Sequence, residues 1–129
     1  MTLGDEALFS SMPRAVILER SDVVNRCIGA CKECRVVCTE TTIHCLNMCG
    51  KHAEILHVRL MRDRADICEQ SENLMLRSSK LVNQACRMSA DVCDNCAESC
   101  DAFDDQAMKA CAQVRRDCLS VCREMADGS

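Results

Sequence analysis

Cys27, Cys31, Cys34, Cys38, Cys45 and Cys49 follow one another at gaps of three, four and seven. The same gaps return in Cys86, Cys93, Cys96 and Cys100 and in Cys111, Cys118 and Cys122, with Cys68 standing between the runs. Such gaps align side chains on one face of an α-helix. Each helix therefore carries a stripe of thiols where Leu and Ile would ordinarily form the core. Five pairs are spaced i, i+4: Cys27/Cys31, Cys34/Cys38, Cys45/Cys49, Cys96/Cys100 and Cys118/Cys122. On a helix their Cβ atoms stand about 5–6 Å apart, so two thiolates can hold one small ion in near-linear geometry. Thiolate and thioether ligands select soft metals, and Cu(I) accepts two or three thiolates. Neighbours such as Cys31 and Cys34 are close enough to bridge ions into clusters. The chemistry expected is the holding of multiple Cu(I) ions per chain inside a helical bundle.

Other uses of cysteine fit the pattern less well. Structural zinc wants four ligands in a tetrahedron, on knuckles and helix starts rather than along whole helices. Iron–sulfur clusters draw on cysteines in tight loops, although a cluster inside a bundle, serving electron transfer, stays open as an alternative. A thiol redox buffer is a further alternative, distinguished by a large change in free thiol on mild oxidation. A disulfide framework is typical of loop-rich secreted chains, whereas these cysteines keep helical phase. Free Cys also packs as a small hydrophobe, but fourteen in phase exceed what packing requires.

The elements that position the thiols follow from the rest of the chain. Residues 1–20 read as a leader with a short helix, and residues 21–129 as the cysteine-lined bundle. Ser21 suits an N-cap with Asp22 in the first turn. Helix 1 should then run to about Cys49, with Gly50 in left-handed geometry just beyond. Helix 2 is expected from about His52 to Arg77. Ser78 or Ser79 can cap helix 3, which reaches about Cys100. Asp104, in the DAFDD turn, can cap helix 4, which continues to about Ala126. Four helices of similar length with short connections predict an all-α, up-down-up-down four-helix bundle.

In such a bundle the end of helix 1, the start of helix 2, the end of helix 3 and the start of helix 4 meet at one pole. That pole gathers His44, Cys45, Met48, Cys49, His52, His57, Met61, Cys100 and Met108. The opposite pole holds Cys27, Cys122, Met75 and Met125. His57, Met61 and Met108 join the fourteen cysteines as candidate metal ligands, with His57 placed for metal entry. Taken singly, the histidines also fit surface or hydrogen-bonding roles, and the methionines fit gap-filling in the core.

Composition narrows the function. The chain has 129 residues, two Phe, no Trp, no Tyr, and a net charge of −4. It shows no basic stripe and few rings for stacking bases, so nucleic acid is not an expected partner. No apolar run approaches the roughly 20 residues that span a bilayer, so no membrane partner is expected. The segment MTLGDEALFSSMPRAV has no basic n-region and no continuous apolar h-region, so a cytoplasmic location is expected. No P-loop, G-x-S-x-G or H-E-x-x-H motif is found, and the chain does not read as an enzyme.

The run C-x₃-C-x₂-C-x₃-C from Cys27 to Cys38, the segment GKHAEILHVRLMRDRADIC (50–68) and the segment CDNCAESCDAF (93–103) resemble the bacterial cysteine-rich four-helix-bundle copper storage proteins. The resemblance covers about residues 24–126. It implies many Cu(I) ions bound mainly through CxxxC pairs, a cytosolic address for forms without a signal peptide, and a homo-oligomer, commonly a tetramer. His52, His57 and Met61 match the family's His and Met positions. A copper chaperone or a low-molecular-weight thiol is the expected loading partner. The chain departs from the pattern at Arg64, Ser89 and Arg115, where the family often has Cys. Each departure breaks a CxxxC pair and leaves Cys68, Cys93 and Cys111 without a same-helix i, i+4 partner, so capacity should fall. An unpaired buried guanidinium is very unfavourable, but a copper held by two thiolates carries a net negative charge. At least one of Arg64 and Arg115 is therefore expected to point toward thiols or to snorkel over the core; the competing placement is solvent, beside Asp63, Asp66 or Asp117. Ile55, Leu56, Val58, Leu60, Leu74 and Leu76 leave helix 2 apolar on more than one face, which predicts self-association.

Overall fold

A computed structural model describes residues 20–127. The leader helix expected within residues 1–20 lies outside them, apart from Arg20. The described chain forms α1 (Asp22–Met48), a single 3-10 turn (Gly50–Ala53), α2 (Ile55–Leu76), α3 (Val82–Asp101) and α4 (Gln106–Ala126). Helix α1 packs on α2 and α4, and α3 packs on the same two. This is the expected up-down-up-down bundle.

Local chemistry sets the helix ends. Ser21 caps α1, its hydroxyl accepting from the Val24 N–H at 3.3 Å. Cys49 and Gly50 then adopt φ of 61° and 60°. Two successive left-handed residues end α1 and turn the chain into the 3-10 segment, so α2 starts three residues later than the periodicity suggested. Helix α2 ends in a Schellman motif: Ser79 N–H donates to Leu74 O at 2.9 Å and Ser78 N–H to Met75 O at 3.2 Å. Ser78 takes the left-handed position (φ 52°) where Gly is usual. Ser79 is left to accept from the Leu81 N–H at 3.1 Å just ahead of α3. At α4 the cap position falls on Asp105 rather than Asp104, and the Asp105 side chain does not cap its own helix.

The buried positions repeat at alternating gaps of three and four, the seam of antiparallel helices packed at shallow angles. On α1 they are Cys27, Cys31, Cys34, Cys38, Thr41, Thr42 and Cys45. On α2 they are His57, Met61, Arg64, Cys68, Ser71 and Met75. The same repeat carries Cys86, Cys93, Cys96 and Cys100 on α3, and Met108, Cys111, Arg115, Cys118, Cys122 and Met125 on α4. The interior has two parts. A long segment holds Cys27, Cys31, Cys34, Cys38, Cys68, Cys86, Cys93, Cys118 and Cys122. A shorter one, at the His-bearing pole, holds Cys45, Met61, Cys96, Cys100 and Met108.

Candidate metal centre

Thirteen of the cysteines have no solvent exposure at all, and all fourteen are free thiols. Their sulfurs meet both along helices and across them. Cys34 and Cys38 stand 3.8 Å apart, as do Cys118 and Cys122. Across the α1–α4 interface, Cys27 lies 3.8 Å from Cys122, and Cys31 lies 3.9 Å from both Cys118 and Cys122. Three buried triads have all sulfurs within 4.8 Å of one another: Cys27/Cys31/Cys122, Cys31/Cys68/Cys118 and Cys34/Cys93/Cys118. They share Cys31 and Cys118, so the triads form one continuous lattice of donors. Intrahelical spacing foretold the i, i+4 members. It could not foretell the cross-helix members, which depend on how each helix is rotated.

Cys49 stands apart. Because it begins the left-handed turn after α1, its side chain is exposed and lies near the Leu46 and Asn47 carbonyls at 3.8 Å. The Cys45/Cys49 pair drawn from continuous helical spacing is therefore not assembled.

Both arginines point inward, and neither has any solvent exposure. Arg64 Nε donates to Cys68 Sγ at 2.9 Å and Nη2 to the same sulfur at 2.6 Å. Its Nη1 donates to Cys93 Sγ at 2.9 Å and to the Ser89 carbonyl, and Nη2 also reaches Ser89 Oγ at 2.6 Å. Arg115 Nε donates to Cys96 Sγ at 2.7 Å, and Nη1 to Cys111 Sγ. The guanidiniums thus bind the three cysteines, Cys68, Cys93 and Cys111, that lost their CxxxC partners. Among the described residues, neither arginine forms an ion pair with a carboxylate. Burial alone would favour the neutral form of each, but the surrounding sulfurs outweigh it and hold both firmly charged. The placement in solvent beside Asp63, Asp66 or Asp117 is not adopted. Arg115 Nη2 is buried without a partner, a spare donor inside a cavity of sulfur.

The thiols share their protons unequally. Cys34 is held low because Cys118, Cys38, Cys68 and Cys93 donate to its sulfur. Cys122 is held low by Cys118, Cys27, Cys31 and Cys86. Cys118, the common donor to Cys122, Cys31, Cys34 and Cys68, is pushed up. Cys34 and Cys122 are therefore readier than Cys118 to give up a proton.

At the pole a second donor set surrounds Cys45. Its sulfur lies 3.4 Å from His57 Nε2, 3.8 Å from Met61 Sδ and 3.5 Å from Met108 Sδ. One imidazole, one thiol and two thioethers so gathered make a soft, uncharged pocket. His57 Nδ1 is tied to Ser99 Oγ at 2.7 Å, which fixes the ring. Burial, then the charges of Arg115 and His52, lower the His57 pKa, so the ring is neutral and free to offer a lone pair. Burial, then the Asp105 charge, pushes the Cys45 thiol up to about 11 against the opposing pull of Arg115. A surface cleft lined by His57, Leu60, Ser99 and Phe103 opens at this pocket. Beside it, His44 Nε2 and His52 Nε2 meet the two oxygens of Asp105 at 2.9 and 2.8 Å. Sequence reasoning placed these histidines at the pole but missed Asp105, Ser99 and Phe103.

Compared with known proteins, residues 20–127 match the family model for copper storage proteins. A cysteine-rich protein of Bacillus subtilis (strain 168), uncharacterised, is 33% identical over 100 residues, spanning 78% of this chain and 93% of that protein. A crystal structure from Nitrosospira multiformis is 40% identical, with a TM-score of 0.79, covering 83% of this chain and 97% of that one. The Cu(I)-bound copper storage protein of Bacillus subtilis is 31% identical, with a TM-score of 0.77, covering 81% and 99%.

Proposed function

The chain belongs to the copper storage protein family, and from that membership we propose that residues 21–129 hold multiple Cu(I) ions on the buried thiols of the bundle. One observation carries the reading: three sulfur triads interlock through Cys31 and Cys118 with no solvent contact. Soft donors at this spacing select a soft monovalent ion. The ligands are the thirteen buried cysteines, with His57, Met61 and Met108 completing the pocket around Cys45. Cys49 lies outside the interior, at the pole. Each thiol that binds copper gives up a proton, so loading releases acid and weakens as pH falls.

Arg64 and Arg115 serve as fixed counter-charges. A copper bridging two thiolates is an anion, and a dry interior tolerates an anion only beside a cation. Each guanidinium already sits where such an anion would form. The family's usual thiols at these positions are thus replaced by cations that lower capacity and stabilise the charge of what remains.

Copper enters at the pole. The Cys45/His57/Met61/Met108 pocket is uncharged, opens to the cleft beside Phe103, and adjoins Cys96 and Cys100 within the same packed segment. Neutral ligands bind Cu(I) less firmly than thiolates, so the ion passes inward by ligand exchange. The donor is a copper chaperone or a low-molecular-weight thiol, and the setting is the cytoplasm. None of the described helices is long and apolar enough to cross a membrane. No catalytic step is assigned to the chain. Ile43, Leu46, Ile55 and Leu56, all more than 45% exposed, form an apolar surface near the α1–α2 connection that supports self-association, with the tetramer as the expected order. Sedimentation showing only monomer at micromolar concentration would remove that part.

The storage reading is tested by anaerobic titration of reduced protein with Cu(I) against a chromogenic chelator. The chelator should stay colourless until on the order of ten ions per chain have bound. Colour after one ion or none refutes storage, and reconstitution with iron and sulfide then tests the electron-transfer alternative.

A further inference from the structure

We propose that His44, His52 and Asp105 form a second metal site at the pole, outside the thiol interior, for a divalent ion of the zinc type. Two imidazole nitrogens and a carboxylate, with no sulfur, make a borderline-to-hard donor set, which suits a divalent ion better than Cu(I). The three ligand atoms all lie within 4.8 Å of one another. Tetrahedral zinc, with bonds of about 2.0–2.2 Å, needs its ligand atoms about 3.3–3.5 Å apart. Asp105 oxygens at 2.9 and 2.8 Å from the two nitrogens need only open by a few tenths of an ångström.

A second observation separates this cluster from a chance surface contact. Asp105 occupies the N-cap position of α4, where a carboxylate ordinarily accepts from its own helix. It makes no such bond. Both of its oxygens are committed to histidines from α1 and from the 3-10 turn. A cap worth about 1 kcal/mol is set aside to hold two imidazoles in convergence. Phe103 then fixes one of those rings, its centroid 4.1 Å from that of His52. The three side chains remain 32%, 15% and 27% exposed, so water can fill the fourth position, as in open zinc sites with three protein ligands. His57 also packs on Phe103, its centroid 4.9 Å from that of the same ring. A divalent ion here would therefore add positive charge next to the copper entrance without using any of its ligands.

The test uses the full-length reduced protein, first loaded anaerobically with Cu(I) so that the thiols are occupied. Zn(II) is then added in competition with a chromogenic zinc chelator, while the histidine ring signals are followed by NMR. One zinc per chain should bind, shifting the signals of His44 and His52. Asp105→Asn, which keeps the side chain's shape, should weaken that binding by roughly tenfold or more while leaving copper capacity and helix content unchanged. Cys49→Ser should not weaken it. The proposal is overturned if the loaded protein takes no zinc, if Asp105→Asn binds as tightly as the parent, or if the His57 signal moves while those of His44 and His52 stay. Copper content is measured before zinc is added, so a failure of the storage reading shows at that step. In that event the His44 and His52 signals of the reduced chain, followed to zinc excess, decide this site separately.

Discussion

Replacing Arg64 by Met tests whether the buried guanidinium serves the fold or the copper. Arg64 makes five hydrogen bonds, three to the sulfurs of Cys68 and Cys93 and two to Ser89. Methionine fills much of the same volume without charge. In the copper-free protein the Cys68 and Cys93 sulfurs can hold protons, so no uncompensated charge is left behind. The cost is the loss of the two hydrogen bonds to buried Ser89, about 1–3 kcal/mol. In the loaded protein that escape is closed, because the sulfurs are held as thiolates by metal. The loss is then at least one charge-assisted hydrogen bond, about 1.5–3 kcal/mol, or roughly a ten- to hundred-fold weaker hold on the copper nearest Cys68 and Cys93. Thermal unfolding of both forms, with Cu(I) competition against a chelator, reads the two effects separately. A copper-free protein destabilised by several kcal/mol, with copper affinity intact, would refute the counter-charge argument and make Arg64 a purely structural residue.

Restoring the missing thiols with Arg64→Cys, Arg115→Cys and Ser89→Cys together should raise Cu(I) capacity above that of the parent, measured by the same titration; an unchanged count would show that the guanidiniums do not limit the store. His57→Ala should slow copper uptake in stopped-flow mixing far more than it lowers final capacity, which a loss in capacity with unchanged rate would contradict. In folded, metal-free protein, Cys49 alone should be alkylated rapidly, since the other thirteen thiols have no solvent exposure; mass spectrometry counting several early adducts would contradict the sealed interior. Copper-free stability should fall as pH rises from about 9 to about 11. An unfolded thiol loses its proton near 9.0, whereas Cys45 keeps its proton until about 11. The unfolded chain therefore holds fewer protons across that window and gains the advantage. Anaerobic unfolding at several pH values checks the slope, and a flat profile would show that Cys45 is not perturbed.

Much of this architecture was legible in the residues. The thiol stripes gave the helices and their inward faces, and short connections gave the topology. The convergence of Cys45, His57, Met61 and Met108 followed from topology alone. Arg64 and Arg115 show where two rules conflict. Both are in phase with the seam, since Met61, Arg64 and Cys68 on α2 and Cys111, Arg115 and Cys118 on α4 keep gaps of three and four. The cost of burying a cation argues for solvent. Phase prevailed because the cavity walls are themselves ionisable. Cys49 went the other way: spacing placed it with Cys45, but a backbone turn of one residue removed it from the face. Asp105 was hidden by its neighbour Asp104, an equally good cap by composition; only the three-dimensional approach of His44 and His52 distinguishes them.

The near absence of bulky hydrophobic side chains from the seam has a consequence for the lifetime of the molecule. An ordinary bundle is held together by groups that have nothing to do with its cargo. On the proposed reading most of the interior is cargo ligand, so filling and folding draw on the same contacts. Any ion held better by the folded lattice than by the thiols of an unfolded chain adds to stability by mass action. Proteases act on opened forms, and the population of those forms follows stability. An empty chain is thus the one most readily degraded and a full chain the one that persists. Turnover would then adjust the number of these bundles to the amount of copper they carry, with no separate sensor.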